Sequence, residues 1–127
     1  MAGERRPFVV AGAGIGGLTA AIALAAKGLP VIVVERSAEF SEIGAGIQLA
    51  PNAGRVLAAL GLDDAIAAVA VEPVAIDVVN GRTGRALTSV PGAAYRARYG
   101  FAYRVVHRAD LQRILVTAAT RAGISIT

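Results

Sequence analysis

The segment Gly12-Ala13-Gly14-Ile15-Gly16-Gly17 lies between an apolar run, Phe8-Val9-Val10-Ala11, and an alanine-rich stretch of helical character. A second apolar run, Val31-Ile32-Val33-Val34, ends in Glu35, eighteen residues after Gly17. Strand, glycine turn, helix, strand and acid in this order make a βαβ unit of the kind that binds the ADP half of a dinucleotide. Gly12 permits the sharp turn, Gly14 lets a pyrophosphate approach the backbone, and Gly17 lets the helix lie close to the sheet. The helix start, with Ile15 and Gly16, offers unpaired N–H groups and the positive end of a dipole to phosphate. Glu35 is placed to accept hydrogen bonds from ribose hydroxyls and would repel a 2′-phosphate. The flanks agree: Ala21 and Leu24 are expected on the helix face that meets the sheet, and Gly28 where a left-handed residue ends the helix.

With 127 residues the chain is one domain at most. Its 55 % hydrophobic content is enough for a core. There is no cysteine, hence no disulfide framework, thiolate metal site or cysteine nucleophile, and the lone His107 excludes a histidine-rich metal centre. The net charge of +4 concentrates in Tyr95 to Arg108, where Arg96, Arg98, Arg104 and Arg108 alternate with Tyr95, Tyr99, Phe101 and Tyr103. That pattern suits a single-stranded nucleic acid, but equally a half-buried strand with solvated arginines, and four arginines give only a modest phosphate contribution. No nucleic-acid partner is expected. The uncharged run Phe8 to Ala26 is long enough to span a bilayer. Its glycines weaken a membrane helix and are needed by a strand-turn-helix, so no membrane partner is expected and a cytoplasmic location is.

Along the chain, strands are expected at Pro7–Ala11 and Val31–Glu35, with a helix at Ile15–Lys27 between them. A connecting segment follows, with a helical turn near Ala38-Glu39-Phe40. An extended stretch covers Gly44 to Leu49, and a helix starts at Pro51-Asn52 with Val56, Leu57 and Leu60 on one face and Gly61 as its stop. A short helix runs from Asp63 or Asp64 to Val69. Strands at Val74–Val79 and Arg85–Val90 flank the turn Asn80–Gly84. Pro91–Tyr99 reads as a loop and Tyr103–Val106 as a short strand. From Arg108, Leu111, Ile114, Leu115, Ala118, Ala119 and Ala122 recur at helical spacing up to Gly123. Ile124–Thr127 opens another strand. A parallel strand entered in this way is normally internal to a sheet, so the expectation is an N-terminal piece of a larger protein.

Glu35-Arg36, Gly44-Ala45-Gly46-Ile47-Gln48-Leu49, Pro51-Asn52, Leu57-x-x-Leu60-Gly61-Leu62, Tyr99-Gly100 and His107-Arg108-Ala109-Asp110-Leu111 occur in the order and spacing of a known family. The chain resembles the FAD-dependent aromatic hydroxylases, single-component flavoprotein monooxygenases, and within them the salicylate and 3-hydroxybenzoate hydroxylase branch. The resemblance covers essentially the whole chain, about the first third of such an enzyme. It implies FAD as cofactor, NAD(P)H as reductant, and O₂ with a phenolic or benzoate-type ring as substrates. It makes Gly12, Gly14, Ile15, Gly16 and Gly17 the pyrophosphate turn, Glu35 the ribose ligand and Arg36 its neighbour beside the adenine. It places Ala45 and Gly46 in the loop that passes the ribityl chain and flavin ring. It also makes Arg108 an arginine that reaches the cofactor, with Gln112 one helical turn on as a further contact.

Arg108 has its own warrant. A guanidinium at a helix start opposes the dipole, and a nearby anionic or polar ligand would offset that. Gln48 stands where some relatives carry a histidine, so a scheme built on that histidine does not transfer. His107, Glu39, Glu42 and the pair Asp63-Asp64 read as structural or solvated groups or caps. Tyr95, Tyr99 and Tyr103 read as structural before they read as a substrate mouth. The family's Gly-Asp and Asp-Gly motifs are absent, and no metal ligand or catalytic residue is assigned.

The expected architecture over 1–127 is α/β: an incomplete Rossmann-like, glutathione-reductase-type FAD-binding parallel sheet, part of a three-layer unit, with a small β excursion over 74–106. The second strand should lie between the first and the one begun at Ile124. The outer edge of the first strand should be open, inviting a homo-oligomer through that edge. Two other classes remain: another FAD oxidoreductase, such as a halogenase or reductase, and a non-catalytic dinucleotide-binding or assembly module.

Overall fold

Valine-rich runs bounded by glycine and proline give the central sheet. The computed structural model describes residues 6–37 and 45–127. Strand β1 (Phe8–Ala11) leads through the glycine turn into helix α1 (Ile15–Ala26) and back to strand β2 (Val31–Val34). β1 pairs in parallel with β2, Phe8 opposite Val31, and β2 pairs in parallel with the last strand, β7 (Ser125–Ile126), Ile32 opposite Ser125. The order β1-β2-β7 is the expected one. Gly28, at φ +71, ends the α1 region in the left-handed conformation.

Helix α5 (Arg108–Arg121) packs along α1. Leu18, Val33, Leu111 and Leu115 are fully buried between the helices and the sheet. Ala21 and Ala119, also fully buried, keep the helices close. The core face of α1 is Leu18, Ala21, Ile22 and Ala25. Leu24 is only half-buried, because it lies about 120° around the helix from Leu18. The sheet is covered by described residues on one face: Val10 and Val33 pack inward, while Val9 and Val34 are 64 % and 40 % exposed. The three-layer expectation therefore reduces to two layers among the described residues.

Strand β3 (Gly46–Leu49) leads into helix α2 (Pro51–Ala59), with proline at its start, and Gly61 follows at φ +76. Leu57 is buried, but Val56 is half exposed, one residue around the helix from that face. Helix α3 (Asp63–Ala67) buries Ile66. Strands β4 (Ala75–Val79) and β5 (Ala86–Pro91) form an antiparallel hairpin. In its turn the Asn80 side-chain oxygen accepts from the N–H groups of Arg82 and Thr83.

Two expectations change here. Residues 92–99, expected as a loop, form helix α4 (Gly92–Tyr99), which starts after Pro91 and stops at Gly100, φ +75. No residue of α4 is buried, so no apolar stripe marks it in the sequence. Strand β6 (Arg104–His107), expected within the 74–106 excursion, pairs antiparallel with β3, Gly46 opposite His107. The excursion is thus a hairpin and a helix set between the two strands of a separate sheet. The expected turn at Ala38-Glu39-Phe40, with Glu42 and Gly44, lies outside the described residues.

The core makes unequal demands on residues of similar type. Leu115→Ala should lower unfolding free energy by about 3 kcal/mol, and Val56→Ala by no more than about 0.5 kcal/mol. Urea unfolding of both variants reads the difference; equal losses would show that the α1–α5 layer is not the core.

Candidate functional site at the glycine turn

The turn is shaped by one close approach. A Cβ on Gly17 would sit 2.0 Å from the carbonyl oxygen of Gly12, so only glycine lets α1 start where it does. Gly12 itself has φ +99, a conformation that favours glycine. Gly14 differs: its φ is −71, which any residue adopts, and a Cβ there would meet nothing within 4 Å. Nothing among the described residues requires glycine at position 14. The space beside it is open, as a backbone cradle for a ligand must be.

Gly14 caps α1 without any side-chain hydrogen bond, and the first turn holds no acidic residue. The first α1 hydrogen bond runs from the Leu18 N–H to the Gly14 carbonyl, so the N–H groups before it are free of helix partners. They carry the positive end of the helix dipole, and the first turn of α1 supplies no acid of its own to meet it. The Ile15 side chain packs against the core, so only its backbone faces this role.

Glu35 follows β2 directly, and its Oε2 accepts a hydrogen bond from the Ala13 N–H at 2.7 Å. The acid and the helix start therefore share one side of the sheet. Oε1 accepts from the Ser37 N–H at 2.9 Å. The Ala13 bond first, then Ser37, holds the Glu35 carboxyl below its ordinary value. A lowered value means that this link is in force above the ordinary carboxylate range and is lost as pH falls through the lowered one. Arg36, beside it, is exposed.

The second half of the site gathers at the start of α5. The Arg108 N–H donates to the Ala45 carbonyl at 3.2 Å, next to the Gly46–His107 pair. Ala45, Gly46 and Arg108 are thus neighbours, all exposed. One turn along α5, the Gln112 side-chain amide donates to the Ala13 carbonyl. The first turn of α5 therefore joins the Ala45–Gly46 patch to the glycine turn. The pairing of β3 with β6, across more than fifty residues, is what sequence reading missed; two four-residue runs carry too little pattern to announce it.

The basic and aromatic stretch has an internal explanation. Arg104 pairs with Asp63 at 2.6 Å and Glu72 at 3.2 Å, and Arg96 pairs with Glu72 at 2.8 Å. Asp63, expected to be a solvated charge or a cap, is instead an ion-pair partner; Leu62 occupies the cap position. The Tyr95 ring lies 5.1 Å from Tyr103 and 6.4 Å from Tyr99, centre to centre. His107 is exposed at the end of β6. Among the described residues no cluster of potential ligands could hold a metal ion, and no helix is long and apolar enough to cross a membrane.

A family described as FAD binding domain matches residues 6–127. The chain belongs to that family. Among curated proteins, 3-hydroxybenzoate 6-hydroxylase 1 of Aquipseudomonas alcaligenes is 45 % identical over 118 residues, 92 % of this chain and 30 % of that protein. The 6-hydroxynicotinate 3-monooxygenase of Pseudomonas fluorescens is 37 % identical over 112 residues, 87 % of this chain and 29 % of that protein. Among solved structures, the tetrameric form of 2-methyl-3-hydroxypyridine-5-carboxylic acid oxygenase superposes with a TM-score of 0.83 at 33 % identity, over 98 % of this chain and 32 % of that one. Klebsiella pneumoniae HpxO complexed with FAD and uric acid gives 0.77 at 32 % identity, over 93 % and 30 %. The chain spans about 30 % of the length of the curated relatives it matches. The open space at Gly14, the free helix N–H groups and the Glu35 carboxylate fit the ADP half of FAD.

Gly17 and Gly14 should separate folding from binding. Gly17→Ala should cost about 3 kcal/mol of stability through the clash with Gly12. Gly14→Ala should leave the urea midpoint unchanged and weaken ADP by at least about tenfold. Calorimetric titration with ADP beside urea unfolding checks both; unimpaired ADP binding by the Gly14 variant would remove the cradle from this turn.

Proposed function

We propose that the chain supplies the ADP-half cradle of FAD in a monooxygenase that uses NAD(P)H and O₂ to hydroxylate a phenolic or benzoate-type ring. The observation that carries this reading is the Glu35–Ala13 contact, 2.7 Å, beside an open Gly14. It joins an acid for ribose and free amides for pyrophosphate at one helix start. The names of the relatives, hydroxylases and monooxygenases of hydroxybenzoates and hydroxypyridines, support the substrate class.

In this reading the amides of Gly14, Ile15, Gly16 and Gly17 hold the pyrophosphate, with Gly12 shaping the turn. Glu35 holds the adenosine ribose, and Arg36 lies beside the adenine. Ala45, Gly46 and Arg108 meet the far half of the cofactor, with Arg108 supplying fork-shaped donors to its oxygens. The bound flavin supplies the oxygen and electron-transfer chemistry; this chain supplies placement and charge. No residue of the chain is assigned to the reacting atoms. The chain alone should retain FAD weakly or not at all through gel filtration and turn nothing over. A cytoplasmic location accords with consumption of NAD(P)H.

The test is substrate-stimulated NAD(P)H oxidation by the intact enzyme, with 3-hydroxybenzoate and related acids, followed with an oxygen electrode and product chromatography. One ring hydroxyl formed and one O₂ consumed per NAD(P)H is the expected result. Reduction or halogenation without oxygen insertion would assign another flavin chemistry, and absence of any flavin-dependent turnover would favour a binding module.

The same reading extends to assembly. β1 is an outer strand, with no partner on its outer edge among the described residues, and Phe8 and Val9 are 50 % and 64 % exposed. We expect the isolated chain to self-associate through that edge. Sedimentation velocity at about 50 µM, a concentration at which such edges pair, should show species larger than a monomer. A single monomeric boundary would refute the edge contact.

A further inference from the structure

Ala13 is held from two sides. It is 1 % exposed, in the middle of the glycine turn. Its N–H donates to Glu35 at 2.7 Å, and its carbonyl accepts from the Gln112 side-chain amide, reached across 99 residues of sequence. Gln112 is half-buried on α5, one residue after Leu111, which is 1 % exposed in the core. The core packing of α5 therefore fixes the place from which Gln112 reaches the turn.

The consequence follows from peptide geometry. In a planar trans peptide the carbonyl and the next N–H point in opposite directions. A bond that draws the Ala13 carbonyl towards α5 turns the Gly14 N–H away from α5. Gly14 is exposed, and its N–H has no partner among the described residues. Without that bond the Ala13–Gly14 peptide is free to rotate, because glycine on one side removes the steric barrier that usually prevents it.

We propose that Gln112 is a positioning residue of the dinucleotide site: together with Glu35 it clamps Ala13, and so aims the Gly14 N–H outward before any ligand arrives. This rests on the FAD-cradle reading but assigns Gln112 to the protein's own backbone rather than to the cofactor. Preorganised donors cost no reorganisation when an anion binds, so the clamp should appear as affinity. Glu35 serves twice, as the holder of the Ala13 N–H and as the acceptor for ribose, and only Gln112 separates the two roles experimentally.

The test uses the isotopically labelled chain, ADP as probe, and two variants. Gln112→Met keeps the length of the side chain and removes the donor. Gln112→Glu keeps the shape and sets an acceptor against the Ala13 carbonyl. Both should move the Ala13 carbonyl ¹³C and Gly14 amide ¹⁵N signals in the nucleotide-free protein. Both should weaken ADP by about tenfold, the scale of one well-placed hydrogen bond, with thermal midpoints near that of the parent. Thr117→Ala, on an exposed part of the same helix, should change neither readout. Unchanged signals and unchanged ADP affinity in both Gln112 variants would overturn the clamp. Moved signals with unchanged affinity would overturn the positioning role. If the parent chain itself shows no response to ADP, the cradle reading fails, while the nucleotide-free signals still decide whether Gln112 holds the turn.

Discussion

The contact between Gly17 and the Gly12 carbonyl decides where α1 begins, and the site inherits its geometry from that point. A missing side chain lets the first turn of the helix rest on the end of β1. The free N–H groups of α1 then emerge beside the end of β2, where Glu35 stands. Any larger residue would meet the Gly12 oxygen and force the helix start or the end of β1 to move. The amides and the acid would then no longer address one ligand. The same close packing thus leaves the first N–H groups of α1 open beside Glu35.

Helix α5 carries that geometry to the second part of the site. Its buried residues, Leu111, Leu115 and Ala119, recur every four positions and lock it along α1. Its first turn lies where Arg108 meets Ala45 and where Gln112 meets Ala13. Hydrophobic burial is non-directional, but on a helix it fixes rotation as well as position. Placing Leu111 in the core leaves Gln112 about 100° around the helix, which is where the glycine turn lies. Site and core are therefore two faces of the same helix.

Legibility in the sequence followed the strength of the local signal. The βαβ unit was readable because each part has its own mark: apolar runs for β1 and β2, glycines at fixed spacing, and Gly28 beyond the helix. α5 was readable from its apolar repeat. The strand order followed from one crossover connection. α4 was not readable, since a helix with no buried residue has no periodic stripe, and Pro91 marks a helix start as well as it marks a loop. The β3–β6 pairing was not readable because pairing partners far apart leave no local trace. Of the site, the turn and Glu35 stood out by themselves, Arg108 and Ala45-Gly46 depended on the resemblance, and the grip of Gln112 on Ala13 needed coordinates.

Arg104 shows how a surface feature of the sequence becomes part of the scaffold. Its side chain is only 12 % exposed, while its partners Asp63 and Glu72 are 45 % and 47 % exposed. Burial alone would lower the pKa of the guanidinium, and the two carboxylates more than reverse that. Half-exposed carboxylates in water give little net energy, at most about 1 kcal/mol for such a pair. Stability is therefore a poor account of the network. A guanidinium this largely covered is costly without partners, however, and alternatives that strand it are disfavoured. The network thus selects one seat for Arg104 against α3 and the segment before β4, and Arg104 is the first residue of β6. β6 pairs with β3, and the end of that pair sets Ala45 against Arg108. Arg104, one of the arginines that interleave with aromatics in the sequence, thus belongs to the scaffold: it seats the strand pair whose end carries the residues we assign to the far side of the proposed dinucleotide site.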